Sequence, residues 1–145
     1  MAFIGNQILT LNSLLDLDGQ ELVLDADADT TIHVSTDDQI DFKVAGSDKL
    51  VISSTSHLVT TTAGTSNLVL GENAGNSIAS GGNYNVLIGD EAGTAITTGD
   101  FNVAVGFEAL KTEDANGKNI AIGYQALKVL DAGAEGLNTV IGYQA

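Results

Sequence analysis

The chain has no cysteine, no proline and no tryptophan, and only 5 basic residues. Without cysteine there is no disulfide framework and no thiol-based metal or redox motif. Against 19 acidic residues, so few basic ones leave a net charge of −14. That charge repels nucleic acid phosphates and anionic lipid, so nucleic acid is excluded as an expected partner. Solubility is the plain reading of the charge; binding of divalent cations is the sharper one. Aromatic residues make up 5% of the chain, so the usual large core fillers are scarce and the core must rest on Val, Ile, Leu and Ala. No run approaches the ~18 apolar residues of a transmembrane helix, and no membrane insertion is expected. The first residues, Met1 to Gln7, carry neither a basic n-region nor an apolar h-region. This predicts synthesis in a cytoplasm without a secretory signal.

What is present is repetition. Asn67 to Ala74 reads NLVLGENA, Asn85 to Ala92 NVLIGDEA, Asn102 to Ala109 NVAVGFEA, Asn119 to Ala126 NIAIGYQA, and Asn138 to Ala145 NTVIGYQA. The shared text is Asn, three mostly aliphatic residues, Gly, two variable residues and Ala, at spacings of 18, 17, 17 and 19. A fixed period of this kind is the signature of a stacked repeat architecture. Each copy predicts a short strand ended by a turn glycine, at Gly71, Gly89, Gly106, Gly123 and Gly142. One strand per period implies parallel stacking as a β-roll or solenoid. The aligned Asn67, Asn85, Asn102, Asn119 and Asn138 would then form a ladder that satisfies buried amides and fixes the register.

Within each strand two flanking positions share one face, as Val86 and Ile88 do, and the middle residue, Leu87, takes the other. Both faces are apolar in nearly every copy, and strands apolar on both faces are buried on both faces. A single thin coil has only one interior, so the second face asks for a neighbouring chain. Helix-like text around 109–111 and 126–130 is overruled by the repeat, because 93–98, the equivalent stretch, is not helix-like.

Residues 1–64 differ. Leu22 to Leu24, Ile32 to Val34, Ile40 to Val44 and Leu50 to Ile52 alternate apolar with other residues and are separated by turn residues, which predicts a meander of short strands with one wet face. The predicted architecture is therefore all-β: a docking or capping segment over 1–15, a β-meander region over 16–64 for attachment or shaft, and a parallel β-roll of 17–19-residue repeats over 65–145, assembled as a homotrimer.

Catalytic signals are thin. His33 is placed on the wet face and His57 in a Ser/Thr-rich connector, neither beside a clear nucleophile or carboxylate partner, so no catalytic residue and no cofactor is expected. Asp25, Asp27 and Asp29 resemble the start of a calcium loop. Thr30 at the sixth position and Thr36 at the twelfth reject an EF-hand, leaving a looser calcium site formed with Asp16 or Asp18 or with symmetry-related chains. Phe107, Tyr124 and Tyr143 share one repeat position. Packing between coils is the plainer reading, and an aromatic ladder that stacks on sugar rings is the functional one.

The Asn-x-Ala-[Ile/Val]-Gly-x-x-Ala text resembles the head repeats of trimeric autotransporter adhesins of the YadA type. Asn119 to Leu127 is also similar to the repeats of phage and environmental-virus tail-fibre proteins. Asp25 to Ile32 and Thr36 to Phe42 resemble virion structural proteins of marine phages. The resemblance implies a left-handed parallel β-roll, three chains to a unit, in a structural fibre of a bacteriophage virion that takes part in host attachment. It implies contacts with other virion proteins through the N-terminal region, and with a host glycan or protein at the far end. A trimeric bacterial adhesin head and a phage head fibre or decoration protein are the alternatives. The repeat period here is longer than that of the short adhesin head repeat.

Overall fold

A computed structural model of the chain describes residues 21–34, 39–53, 58–130 and 136–145. The docking segment expected over 1–15, together with Asp16, Asp18, Thr36 and His57, lies outside the described residues. Within them the chain is all-β, with no helix.

Five short strands form the first sheet: β1 (Leu22–Val23), β2 (Thr31–His33), β3 (Ile40–Val44), β4 (Ser47–Ile52) and β5 (Leu58–Thr60). They pair antiparallel in sequence order. Register lines Leu22, Ile32, Phe42 and Leu50 across one face, with Ile40, Ile52 and Leu58 beside them. Leu22, Ile40, Ile52 and Leu58 on that face are exposed. On the opposite face Thr31 and Asp41 are fully buried, and the His33 side chain is only 11% exposed. His33, read from the sequence as lying on a wet face, is therefore largely buried with Thr31 and Asp41, while Val23 and Val59 at the margins of that face are exposed. His33 is turned toward the buried Asp41, with Nε2 at 3.7 Å from its carboxylate, and the Glu21–Lys43 ion pair at 3.0 Å sits beside Thr31 in register.

The second sheet is a β-solenoid. Strands β6 (Leu68–Leu70), β7 (Val86–Ile88), β8 (Val103–Val105), β9 (Ile120–Ile122) and β10 (Thr139–Ile141) pair parallel, each with the next. The register is unbroken: Val69, Leu87, Ala104, Ala121 and Val140 form one line. These middle residues face the interior of the coil, where Leu87, Ala104 and Ala121 are fully buried. Ala74, Ala92, Ala109 and Ala126, the closing residues of the repeat, fill the same core.

Each coil turns out of its strand at the repeat glycine. Gly89 has φ +126°, and a Cβ there would stand 2.7 Å from the carbonyl carbon of Gly106 in the next coil. Close backbone approach therefore fixes glycine at this column. Two residues later the chain passes through the left-handed region at a non-glycine: Asn73, Glu91, Glu108, Gln125 and Gln144 have φ between 52° and 56°. Such a conformation costs about 1–2 kcal/mol per L-residue, so it persists only because stacking over-determines it. Backbone bonds between coils supply that stacking. Glu91 N donates to Glu72 O at 2.9 Å, Glu108 N to Asp90 O at 3.0 Å, and Gln125 N to Phe107 O at 2.8 Å.

The core keeps its volume by exchange between two columns. Gly75, Gly93, Leu110 and Leu127 occupy equivalent corners, tied by bonds such as Gly75 N to Ala92 O and Leu110 N to Ala126 O. Where the strand carries Leu87 the corner is glycine; where it carries Ala104 or Ala121 the corner is Leu110 or Leu127. A buried Leu110 thus fills from the corner the space that Leu87 fills from the strand.

Candidate functional site

The asparagine column lies inside the solenoid, with Asn85, Asn102 and Asn119 fully buried. Each side-chain oxygen accepts the backbone N–H of the next asparagine. Asn85 N donates to Asn67 Oδ1 at 2.8 Å, Asn102 N to Asn85 Oδ1 at 2.8 Å, Asn119 N to Asn102 Oδ1 at 3.0 Å, and Asn138 N to Asn119 Oδ1 at 3.3 Å. The amide groups turn elsewhere in the first coils. Asn67 Nδ2 donates to Gly82 O at 2.8 Å, Asn85 Nδ2 to Gly99 O at 2.9 Å, and Asn102 Nδ2 to Asn116 O at 3.2 Å. Only in the last two do they donate to the asparagine oxygen above, at 3.2 and 3.0 Å. The column links side chain to backbone, and it pins the turn that leads into the next strand as well as that strand itself.

Outside the solenoid three surfaces differ in chemistry. The strand face is aliphatic: Leu68, Leu70, Val86, Ile88, Val103, Val105, Ile120, Ile122 and Ile141 point outward, and Thr139 alone is polar. No charged residue occurs in β6 to β10. Leu70, Ile120 and Ile141 are exposed and the rest of these aliphatics half-buried.

The second surface carries rings. Phe107 stacks on Tyr124 at 5.3 Å and 18°, and Tyr124 on Tyr143 at 5.0 Å and 10°. Near the opposite corner, Tyr84 stacks on Phe101 at 5.0 Å and 6°. Parallel coils bring equivalent side chains to roughly the strand spacing of about 4.8 Å, so ring faces cover one another. Both faces of Tyr124 are occupied. A sugar ring, which stacks on a ring face, finds only the end faces of Phe107 and Tyr143 and the edges between.

The third surface is ionic. Glu108 accepts from Lys111 Nζ at 2.7 Å, Lys128 Nζ at 2.6 Å and Gln125 Nε2 at 2.5 Å, and Lys111 also pairs with Glu91. Three donors, Lys111 first, hold the Glu108 carboxyl at a pKa of about 2. The same contacts raise the Lys111 ammonium. The network crosses three coils: Glu91, then Glu108 with Lys111, then Gln125 with Lys128.

In the turn between β1 and β2, one carboxylate oxygen from each of Asp25, Asp27 and Asp29 lies within 4.8 Å of the others. That span matches oxygens placed about 2.4 Å from a single calcium ion. Thr30 N donates to Asp25 Oδ1 at 3.3 Å, and hydrogen bonds from Thr30 hold the Asp25 carboxyl below its usual range. Asp25 and Asp27 are open to solvent and Asp29 is half-buried. His33 Nε2 stands 3.7 Å from Asp41, and no Ser or Thr hydroxyl among the described residues hydrogen-bonds to it.

No known protein family, curated protein or solved structure matches this chain.

Several residues of the outer surfaces are not signalled by the repeat text. Tyr84 and Phe101 fall just before the asparagine, where the consensus has no aromatic. Glu91, Lys111 and Lys128 come together only because parallel coils superpose them. Their repeat offsets, compared coil by coil, carry that signal.

Proposed function

We propose that this chain is a structural fibre subunit of a bacteriophage virion, a tail fibre that takes part in host attachment, and that it is not an enzyme. The observation that carries the reading is the solenoid with an uncharged aliphatic outer sheet face. Repetition of one coil builds length along an axis rather than a pocket. On a chain of net charge −14, a sheet face without any charged residue is a surface on which identical copies meet without repulsion. Copies arranged around that face form a parallel homotrimer; the number three comes from the resemblance to trimeric adhesin heads. The word phage likewise rests on the similarity of Asn119 to Leu127 to tail-fibre repeats. In this reading the N-terminal region docks on other virion proteins, and multiple identical chains multiply weak contacts to a host glycan or protein.

Immunogold electron microscopy with antibody raised against the purified chain tests the proposal. Label on projections of phage particles released from the cells that encode it is the expected result. Label on intact bacterial surfaces would replace the reading with a surface adhesin. Release of sugar from host polysaccharide by the purified chain would end the non-enzyme reading.

A further inference from the structure

The first strand of the solenoid is an edge strand in the sheet order of the described residues. A parallel strand gives its backbone groups alternately to its two neighbours. In β6, Leu68 N donates to Asn85 O and Leu70 O accepts from Gly89 N, so these groups serve the next coil. Asn67 O and Val69 N turn the other way. In every later coil the equivalent asparagine carbonyl accepts a backbone N–H from the coil before it. Asn85 O accepts from Leu68 N, Asn102 O from Val86 N, Asn119 O from Val103 N and Asn138 O from Ile120 N. At β6 that partner must come from another source.

Thr60 supplies it with one side chain. Its Oγ1 donates to Asn67 O at 3.1 Å and accepts from Val69 N at 2.9 Å. A hydroxyl is both donor and acceptor, so a single atom stands in for the N–H and the C=O of a preceding strand. Thr60 itself belongs to β5 and lies in register with Leu50 of β4. Its backbone therefore serves the first sheet while its side chain closes the second. Thr62 repeats the device for the asparagine column, where its Oγ1 accepts from Asn67 Nδ2 at 2.9 Å.

An edge strand with open backbone groups is a template for another strand. The strand that fits β6 is another coil of the same repeat, because junctions of that kind join β6 to β7 and each later strand to the next. Copies added in this way run head to tail and do not close. We propose that Thr60 is the terminal cap of the solenoid: its hydroxyl occupies the edge of β6 and keeps a coil of a second copy from adding there. This edge is distinct from the outward strand face, and the cap stands whether or not the chain belongs to a phage.

The test compares the full chain with Thr60→Val, which keeps the shape and removes the hydroxyl, and with Thr60→Ser, which keeps the hydroxyl. Amide hydrogen exchange is read at Val69, and at Leu87, its register partner on β7, as the control for an intact solenoid. At low concentration the Val69 amide of Thr60→Val should exchange about tenfold faster than in wild type, with Leu87 unchanged. As concentration rises, Thr60→Val should sediment as species heavier than wild type at the same concentration, and Val69 should become protected again. Thr60→Ser should follow wild type in both measurements. Unchanged Val69 exchange in Thr60→Val, or sedimentation no heavier than wild type, would overturn the cap. So would a Thr60→Ser chain that behaves as Thr60→Val, or equally faster exchange at Leu87, since either would make Thr60 a packing residue of the whole coil.

Discussion

A Cβ placed on Gly93 would lie 2.8 Å from Cδ2 of Leu87, well inside any real contact. The two positions share one volume, and the next coils divide it the other way, with Ala104 and Leu110. Gly93→Leu alone should destabilise by about 1–3 kcal/mol through overpacking, and by about 1–2 kcal/mol more because the side chain must sit at φ +58°. Leu87→Ala alone should cost about 2–5 kcal/mol as a cavity. Together they recreate the Ala104–Leu110 arrangement one coil earlier. The double variant should therefore be more stable than the sum of the two by up to about 3 kcal/mol. Denaturant melts of the four chains measure that coupling, and simple additivity would show that the columns do not exchange volume.

The asparagine column makes a second prediction. Asn102→Ala strips the acceptor from Asn119 N and Asn119 Nδ2, and the donor from Asn116 O. Each buried group left alone costs about 1–3 kcal/mol. Asn102→Asp keeps the acceptor but turns a carboxylate oxygen onto the Asn116 carbonyl, so it should not rescue. Asn138→Ala, at the half-buried end of the column, should cost less. Equal melting temperatures for wild type and Asn102→Ala would place that side chain outside the cooperative core.

Much of this architecture was legible because the repeat fixes both phase and period. Asn, Gly and Ala recur in one frame, and the frame alone gives parallel strands and turn glycines; both strand faces are apolar in the sequence, and only the structure places the line through Leu87 and Ala104 inside. The left-handed residues were not legible. Glu108, Gln125 and Leu110 carry no sign that they sit at φ near 53–55°, a conformation imposed by the coil and not by propensity. The burial of His33 was not legible because alternation gives two faces without saying how deeply each position on them is buried.

The ionic network predicts how the fold responds to acid. The Glu108 carboxyl lies at about 2 against an ordinary 4.5, so its folded-state pKa is depressed. Its stabilising contribution is fully present above about pH 4.5 and is lost as pH falls toward 2. Lys111, raised by Glu108 and Glu91, stays charged across this window and does not alter the sign. Melting temperature should fall between pH 4.5 and 2, and Glu108→Gln should show a smaller fall over that interval while starting lower at pH 7. A variant with the same acid slope as wild type would assign the loss to other carboxylates.

Adjacent residues of β8 test assembly against folding. Ala104 is fully buried inside the coil, whereas Val105 points outward and is half-buried in a single chain. Ala104→Asp puts a charge into the core of each chain and should abolish folding. Val105→Asp leaves the coil interior intact. In a lone chain its carboxylate reaches water, so the cost should be limited to the about 1 kcal/mol span of strand propensity. In an assembly that closes the strand face, the same carboxylate is desolvated without a partner, at several kcal/mol for each copy. Sedimentation at micromolar concentration should show wild type as a trimer and Val105→Asp as a monomer, with the β-sheet circular dichroism of the two alike. A Val105→Asp chain that sediments as a trimer would mean that the aliphatic face looks outward to solvent, and the contact between copies would have to be sought on the first sheet, where Leu22, Ile40, Ile52 and Leu58 are exposed.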